Sequence, residues 1–273
     1  MADAKQIEDK TAEVKDELAG SEAPLLEHLI ELRKRLIYSA VTIVALMAFC
    51  FIFASTIYDW LITPYRHSVT EAVLQATAPQ EMFLTYVNVA FFAAMFLGFP
   101  MIASQIYMFV APGLYKHERK AFLPYLVATP VFFVAGAALV YFAVLPMALH
   151  FFAGMQTDDI KLVPRVSEYL SFVMVLILAF GVCFQLPVIL TLLAQIDLVH
   201  VEQLKKGRRY AIVGILIFAA FITPPDPISQ IGLALPMYAL YELSIISVRM
   251  IEKRRAAALA AQEAELSGSS SSE

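Results

Sequence analysis

Charge is absent from long stretches of this chain and crowded into the short segments between them. Uncharged runs cover residues 36–58, 82–115, 121–157, 169–196, 210–225 and 227–241, the last continuing past Glu242 to residue 248. A helix needs about 20 apolar residues to cross the hydrocarbon of a bilayer, so the pattern predicts six crossings. The second and third runs are too long for one crossing and too short for two, so their ends are expected to form loops. "FVAPGLY" (109–115) is read as one such end, because Pro112-Gly113 stops a helix. The fifth run has only 210–222 continuously apolar, roughly 20 Å of helix against about 30 Å of hydrocarbon. "TPPDP" (223–227) joins it to the sixth as a tight, rigid tip, since proline lacks the amide donor and blocks the helix. The fifth and sixth helices are therefore expected to be short and to thin the bilayer; a buried hairpin that does not cross is the alternative.

The segment before the first run has its own pattern. In "EHLIELRKRL" (27–36), Leu29, Leu32 and Leu36 continue from Leu25 at helical spacing, while Glu27, His28, Glu31 and Lys34 lie elsewhere on the wheel. This predicts an amphipathic helix that runs directly into the first span. Within the spans, Pro100, Pro130, Pro187 and Pro236 predict kinks and a curved bundle. The loops at about 59–81 and 150–167 are long enough to fold over as caps. No internal repeat is evident.

Composition strengthens the membrane reading. Of 273 residues, 60% are hydrophobic and 16% charged, with a mean hydropathy of +0.70; soluble domains carry about 25% charged residues. The net charge of −4 hides an uneven placement. Of 20 lysines and arginines, only Arg66, Lys161 and Arg165 fall on one side of the predicted spans. The others mark the basic side, which the positive-inside rule makes cytoplasmic, with both termini there. Residues 1–24 are acidic and lack an apolar h-region, so the first span is expected to be its own insertion signal. Three segments are expected: an acidic, disordered extension (1–23), a six-span membrane domain (24–250) and a tail (251–273) that begins helical and ends Ser-rich and disordered. Cys50 and Cys183 sit inside apolar runs, as small buried hydrophobes rather than disulfide partners.

HExxH, GxSxG, GxxxxGK and CxxC are all missing, and the five histidines do not cluster, so neither an enzyme, a metal site nor a cofactor is expected. The informative residues are the polar ones. Gln185 lies mid-span beside Pro187, which frees the carbonyl of residue 183; it is either satisfied by an interhelical hydrogen bond or offers a polar spot to a transported segment or partner helix. Glu242 is the one acid within a span, suited to an ion pair or to snorkelling. Asp226 could cap the sixth helix. On the basic side, Glu31 can pair with Arg35 at i,i+4, and Glu118 stands in "YKHERKAF" (115–122). Each alone reads as a solvated surface pair. Together they could receive a cation, best a guanidinium, which grips carboxylates bidentately where lysine offers a point charge.

"HLIELRKRL" (28–36), "FVAPGLYKHERK" (109–120), "FGVCFQLP" (180–187) and "LIFAAFITPPDPISQ" (216–230) resemble, in order and spacing, the signature segments of the TatC family. The resemblance covers about residues 24–250. It implies a signal receptor of the twin-arginine translocase, which exports folded proteins across the bacterial cytoplasmic (inner) membrane using the proton-motive force. The fold it implies is a six-helix, concave, glove-like bundle with short fifth and sixth helices. It places twin-arginine signal-peptide binding on Glu31 and Glu118, with His28, Arg33, Phe109, Leu114 and Arg119 around them. It places a partner-helix or intramembrane polar site at Gln185, Thr223, Pro225 and Asp226. Implied partners are single-span TatA-type and TatB-type subunits and further copies of the chain within a hetero-complex; nucleic acid is not among them. Many family members carry Glu where this chain has Gln185, which cannot ionise, so proton relay at that position is not expected here. Competing readings are a secondary transporter of a small solute or ion, which would need midplane polar groups such as Gln185 and Asn88 to converge, and a scaffold for single-span partners.

Overall fold

A computed structural model describes residues 28–69, 73–110, 116–157, 163–222 and 227–270. The described residues are almost entirely helical. Helix α1 (His28–Ile52) is followed after a turn at Phe53 by α2 (Ala54–Ser68), then α3 (Glu81–Val110) and α4 (Lys116–Leu139). A single π turn, Val140–Val144, leads into α5 (Leu145–Ala153); α6 (Val166–Cys183), α7 (Leu186–Gln195), α8 (Val201–Ile222) and α9 (Pro227–Ser270) complete the order.

Among the described residues, five helical stretches are long and apolar enough to cross a membrane: His28–Ile52, Glu81–Phe109, Tyr125–Ala153, Val166–Gln195 and Gln230–Ala257. Helix α8 has 22 residues, but its first half carries Glu202, Lys205, Lys206, Arg208 and Arg209, leaving the short apolar part already visible in the sequence. The last helix is not short: α9 runs 44 residues, passing straight through Gly232 and Pro236 and on to Ser270 at the Ser-rich end expected to be disordered. The tip between α8 and α9, with Thr223, Pro225 and Asp226, lies outside the described residues.

The amphipathic segment and first span are one helix, as the leucine spacing predicts. It packs antiparallel on α3: His28 meets Phe109, Arg35 meets Gln105, Leu46 meets Gly98, and Cys50 meets Ala90 and Ala93. Cys50 is the first fully buried residue along it, so most of α1 faces outward. The predicted outer loop is a helix as far as Ser68, a correction to the sequence expectation for 59–81. Leu61, Ile62 and Tyr65 form its buried face, and Pro64 sits within it. Pro64 cannot donate to the carbonyl of residue 60, and the Tyr141 hydroxyl takes that place, donating to Trp60 O at 2.8 Å while its ring stacks on the indole at 4.0 Å.

Helix continues through Pro100, Pro130 and Pro236, while Pro187 follows directly on a break at Phe184 and Gln185. The core is built around α6, whose Leu170, Val173, Leu176 and Phe180 are fully buried. Two glycines bring α4 and α6 together. A Cβ on Gly136 would stand 2.7 Å from the Phe180 carbonyl, and one on Gly181 would stand 2.5 Å from the Phe133 ring. A second cluster at the basic end joins α7, α8 and α9 through Ala194, Val201, Leu204, Ile245 and Val248.

At the far end the two outer loops meet. Gln75 and Arg165 form one parallel bridge, with Gln75 N donating to Pro164 O at 3.1 Å and Val166 N to Gln75 O at 3.0 Å. Glu81, at the start of α3, locks them. One of its oxygens accepts from Thr77 N (2.6 Å), Thr77 Oγ1 (3.0 Å) and Ala78 N (3.3 Å), the other from Ser167 Oγ (2.6 Å) and Ser167 N (3.4 Å). Both loops thus cap the far end, as their length predicts.

Candidate functional site

Two positions of the expected site, His28 and Glu31, come together with Arg35 on one face of α1 because residues 28, 31 and 35 fall at i, i+3 and i+7. The His28 ring stacks on Phe109 with centroids 4.2 Å apart. Arg35 Nε donates to Glu31 Oε1 at 3.1 Å, its terminal nitrogen Nη2 bonds the same oxygen, and Nη1 approaches Gln105 Oε1 at 3.5 Å. Glu31 keeps 32% and Arg35 20% of its side-chain surface exposed, so the pair is reachable from the basic side. Gln105 is buried and also donates to Met101 Sδ at 3.8 Å. Sequence reasoning missed Gln105; an amide one turn before Phe109 on the same helix was the available signal. Arg33 is exposed on another face of α1, beside Leu29, Leu32 and Leu36 in an open apolar groove. It is not brought to the Glu31–Arg35 pair.

Glu118 and Arg119 lie in the first turn of α4, which starts at Lys116 a few residues after Phe109. Leu114 lies outside the described residues.

Gln185 lies in the break between α6 and α7. Its backbone N–H turns to Val182 O (2.9 Å) instead of Gly181 O, and the side-chain Nε2 supplies the missing donor at 3.4 Å. The same nitrogen donates across to Thr129 O on α4 at 3.0 Å. This is the interhelical hydrogen bond that the sequence allowed. It leaves Oε1 buried without a partner among the described residues. Glu242 forms an ion pair with Arg208 at 2.7 Å and accepts from the Tyr238 hydroxyl at 2.8 Å.

These polar groups do not converge on a solute site. Asn88 lies on the exposed side of α3, while Gln185 is buried among α4, α6 and α7. An apolar cavity of about 380 Å³, walled by Trp60, Phe92, Phe96, Tyr141, Phe142 and Ile177, offers no polar grip either. Both cysteines are buried and unpaired.

A multi-pass helical bundle with a cluster of polar side chains at its basic end and a closed cap at the other is the architecture of an integral membrane protein. Comparison with known proteins makes the class specific. The chain belongs to the TatC family, Sec-independent protein translocase proteins, whose pattern it matches over residues 27–236. It is 44% identical over 244 residues to the TatC of Magnetococcus marinus, covering 89% of this chain and 90% of that one. It is 37% identical over 227 residues to TatC of Escherichia coli K12, covering 83% and 88%. The crystal structure of a twin-arginine translocase receptor TatC superposes with a TM-score of 0.75 at 34% identity, covering 82% of this chain and 99% of that chain. TatC proteins are transport components, not enzymes.

Proposed function

We propose that this chain is the receptor of a bacterial twin-arginine translocase, binding signal peptides with Glu31 and Glu118 and nucleating assembly for export of folded proteins on the proton-motive force. The observation that carries the reading is the Glu31 carboxylate, already in guanidinium geometry with Arg35 and half-open on the basic side. His28 and Phe109 stack beside it as an apolar neighbour for the residues flanking an arginine pair. Leu114 and Arg119 belong to the same proposed site, whereas Arg33, on another face of α1, stands apart from it.

In this reading the chain crosses the cytoplasmic membrane six times with both termini inside. The five long helices are joined by α8 as the short crossing, in a concave, glove-like arrangement. The acidic extension (1–23) and the tail (251–273) flank the membrane domain (24–250). Thr223, Pro225 and Asp226 meet partner helices of TatA-type and TatB-type subunits, Gln185 is an intramembrane polar site inside the bundle, and further copies of the chain join the hetero-complex. Photocrosslinking from positions 31 and 118 to a signal peptide bearing Arg-Arg, against the same peptide with Lys-Lys, tests the proposal. Crosslinks from both that weaken with Lys-Lys support it. No crosslinks from properly inserted protein return the chain to a scaffold or transporter role.

A further inference from the structure

We propose that the apolar cavity between α3 and α4 seats one acyl chain of a membrane phospholipid. The cavity, of about 380 Å³, is built into the sequence. Ala93 on α3 and Ala137 and Ala138 on α4 leave room where Phe92, Phe96 and Tyr141 beside them are bulky. The π turn Val140–Val144 carries both Tyr141, buried with its ring stacked on the Trp60 indole, and Phe142, 73% exposed at the rim. Phe92 and Ile177 of α6, both buried, form the inner wall.

What lies outside the mouth follows from the membrane spans. Leu97 and Val134 share the rim with Phe142, and all three are exposed within spans, so the cavity opens sideways onto hydrocarbon. At 1.5 Å per residue, Phe96 and Phe92 stand about 14 and 20 Å along α3 from Gln105 at the basic end, which puts the cavity at the middle and outer half of a layer about 30 Å thick. The wall then decides between the occupants this layer offers. One turn of helix with its side chains fills roughly 420 Å³, so the cavity is smaller than a single turn of a partner helix. An extended peptide would bring N–H and C=O groups to a wall that has no polar partners for them. Left empty, the wall atoms would forfeit their dispersion contacts. An acyl chain is narrow, carries no polar group along its length and is already present at the mouth.

The test uses the full chain in nanodiscs of phospholipid doped with a phospholipid that carries a diazirine near the methyl end of one chain. After illumination, labelled residues are mapped by peptide mass spectrometry. Phe92 and Ile177 should be labelled, and so should Val131, which is exposed on α4 outside the cavity and reports bulk lipid. Ala138→Phe fills the cavity and should cut the ratio of Ile177 label to Val131 label by about tenfold. Ala138→Leu, which adds less volume, should cut it less, and it carries the test if thermal unfolding shows that the larger variant does not fold. Label on Val131 with none on Phe92 or Ile177 overturns the proposal, as does an unchanged ratio in the folded variants. An unlabelled prenyl chain that clears Ile177 at a membrane content where unlabelled phospholipid does not would assign the cavity to isoprenoids, and overturns it too.

Discussion

Glu31 and Gln185 show how one side chain can be set by local geometry and still be open to function. Glu31→Ala or Glu118→Ala should reduce export of a twin-arginine reporter at least about tenfold, the loss of one charge-assisted bidentate contact, while insertion and abundance stay normal. Export assays beside immunoblots of the membrane fraction check this; loss of the protein itself would mark the residue as structural. Gln185 makes a sharper case, because its Nε2 faces two carbonyl oxygens and its Oε1 faces none of the described donors. Gln185→Leu removes the donor but also the unpartnered acceptor, so its cost is that of a membrane hydrogen bond, about 0.6 kcal/mol and at most about 2. Gln185→Glu, neutral in the apolar interior, keeps one O–H donor for the two carbonyls and should lie between the other two. The expected order of thermal midpoints in detergent is therefore wild type, then glutamate, then leucine. A glutamate variant less stable than the leucine one would show that a side-chain donor is not what holds the break.

Between elements, the contacts that matter are those joining distant parts of the chain, and this is where sequence legibility ends. The Glu31–Arg35 pair was readable, since i,i+4 spacing on an amphipathic helix places the groups together whatever the rest does. So were the long apolar runs and the charge-laden start of α8. Helix α2 was not, because Pro64 and a mixed polar composition argue for loop. The helix forms because its freed carbonyl at Trp60 finds the Tyr141 hydroxyl, 81 residues away. Gln105 escaped for the same reason, reaching Arg35 across 70 positions. The Pro64–Tyr141 dependence can be measured. Tyr141→Phe should cost about 1–3 kcal/mol by orphaning the Trp60 carbonyl. In a Pro64→Ala background residue 64 can donate again, and the same change should cost less, a coupling of at least about 0.5 kcal/mol in a double-mutant cycle. Additive effects would show that Tyr141 acts through packing on Trp60 alone.

Across the whole molecule, the two ends are built on opposite principles. The basic end leaves Glu31 half-open beside exposed α1, and its outward face is unburied for most of the helix. The far end is closed by a carboxylate whose two oxygens accept from both outer loops, with the Gln75–Arg165 bridge beside it. Ser167 lies 86 residues from Glu81, so the clamp ties the start of α3 to the start of α6, the helix at the centre of the core. Glu81 accepts from backbone N–H groups at Thr77 and Ala78 that have no substitute if the carboxylate is removed. Glu81→Ala should therefore open the cap. Protease added from the outer side should cut within 73–80 or 163–168 in the variant and spare wild type, and the thermal midpoint should fall. Peptide binding at the basic end should keep its dissociation constant, because neither α1 nor the Gln105–Phe109 turn of α3 touches the clamp. If binding weakens in step with cap opening, α3 transmits the state of the cap along its length, and the receptor face depends on the closed end rather than standing apart from it.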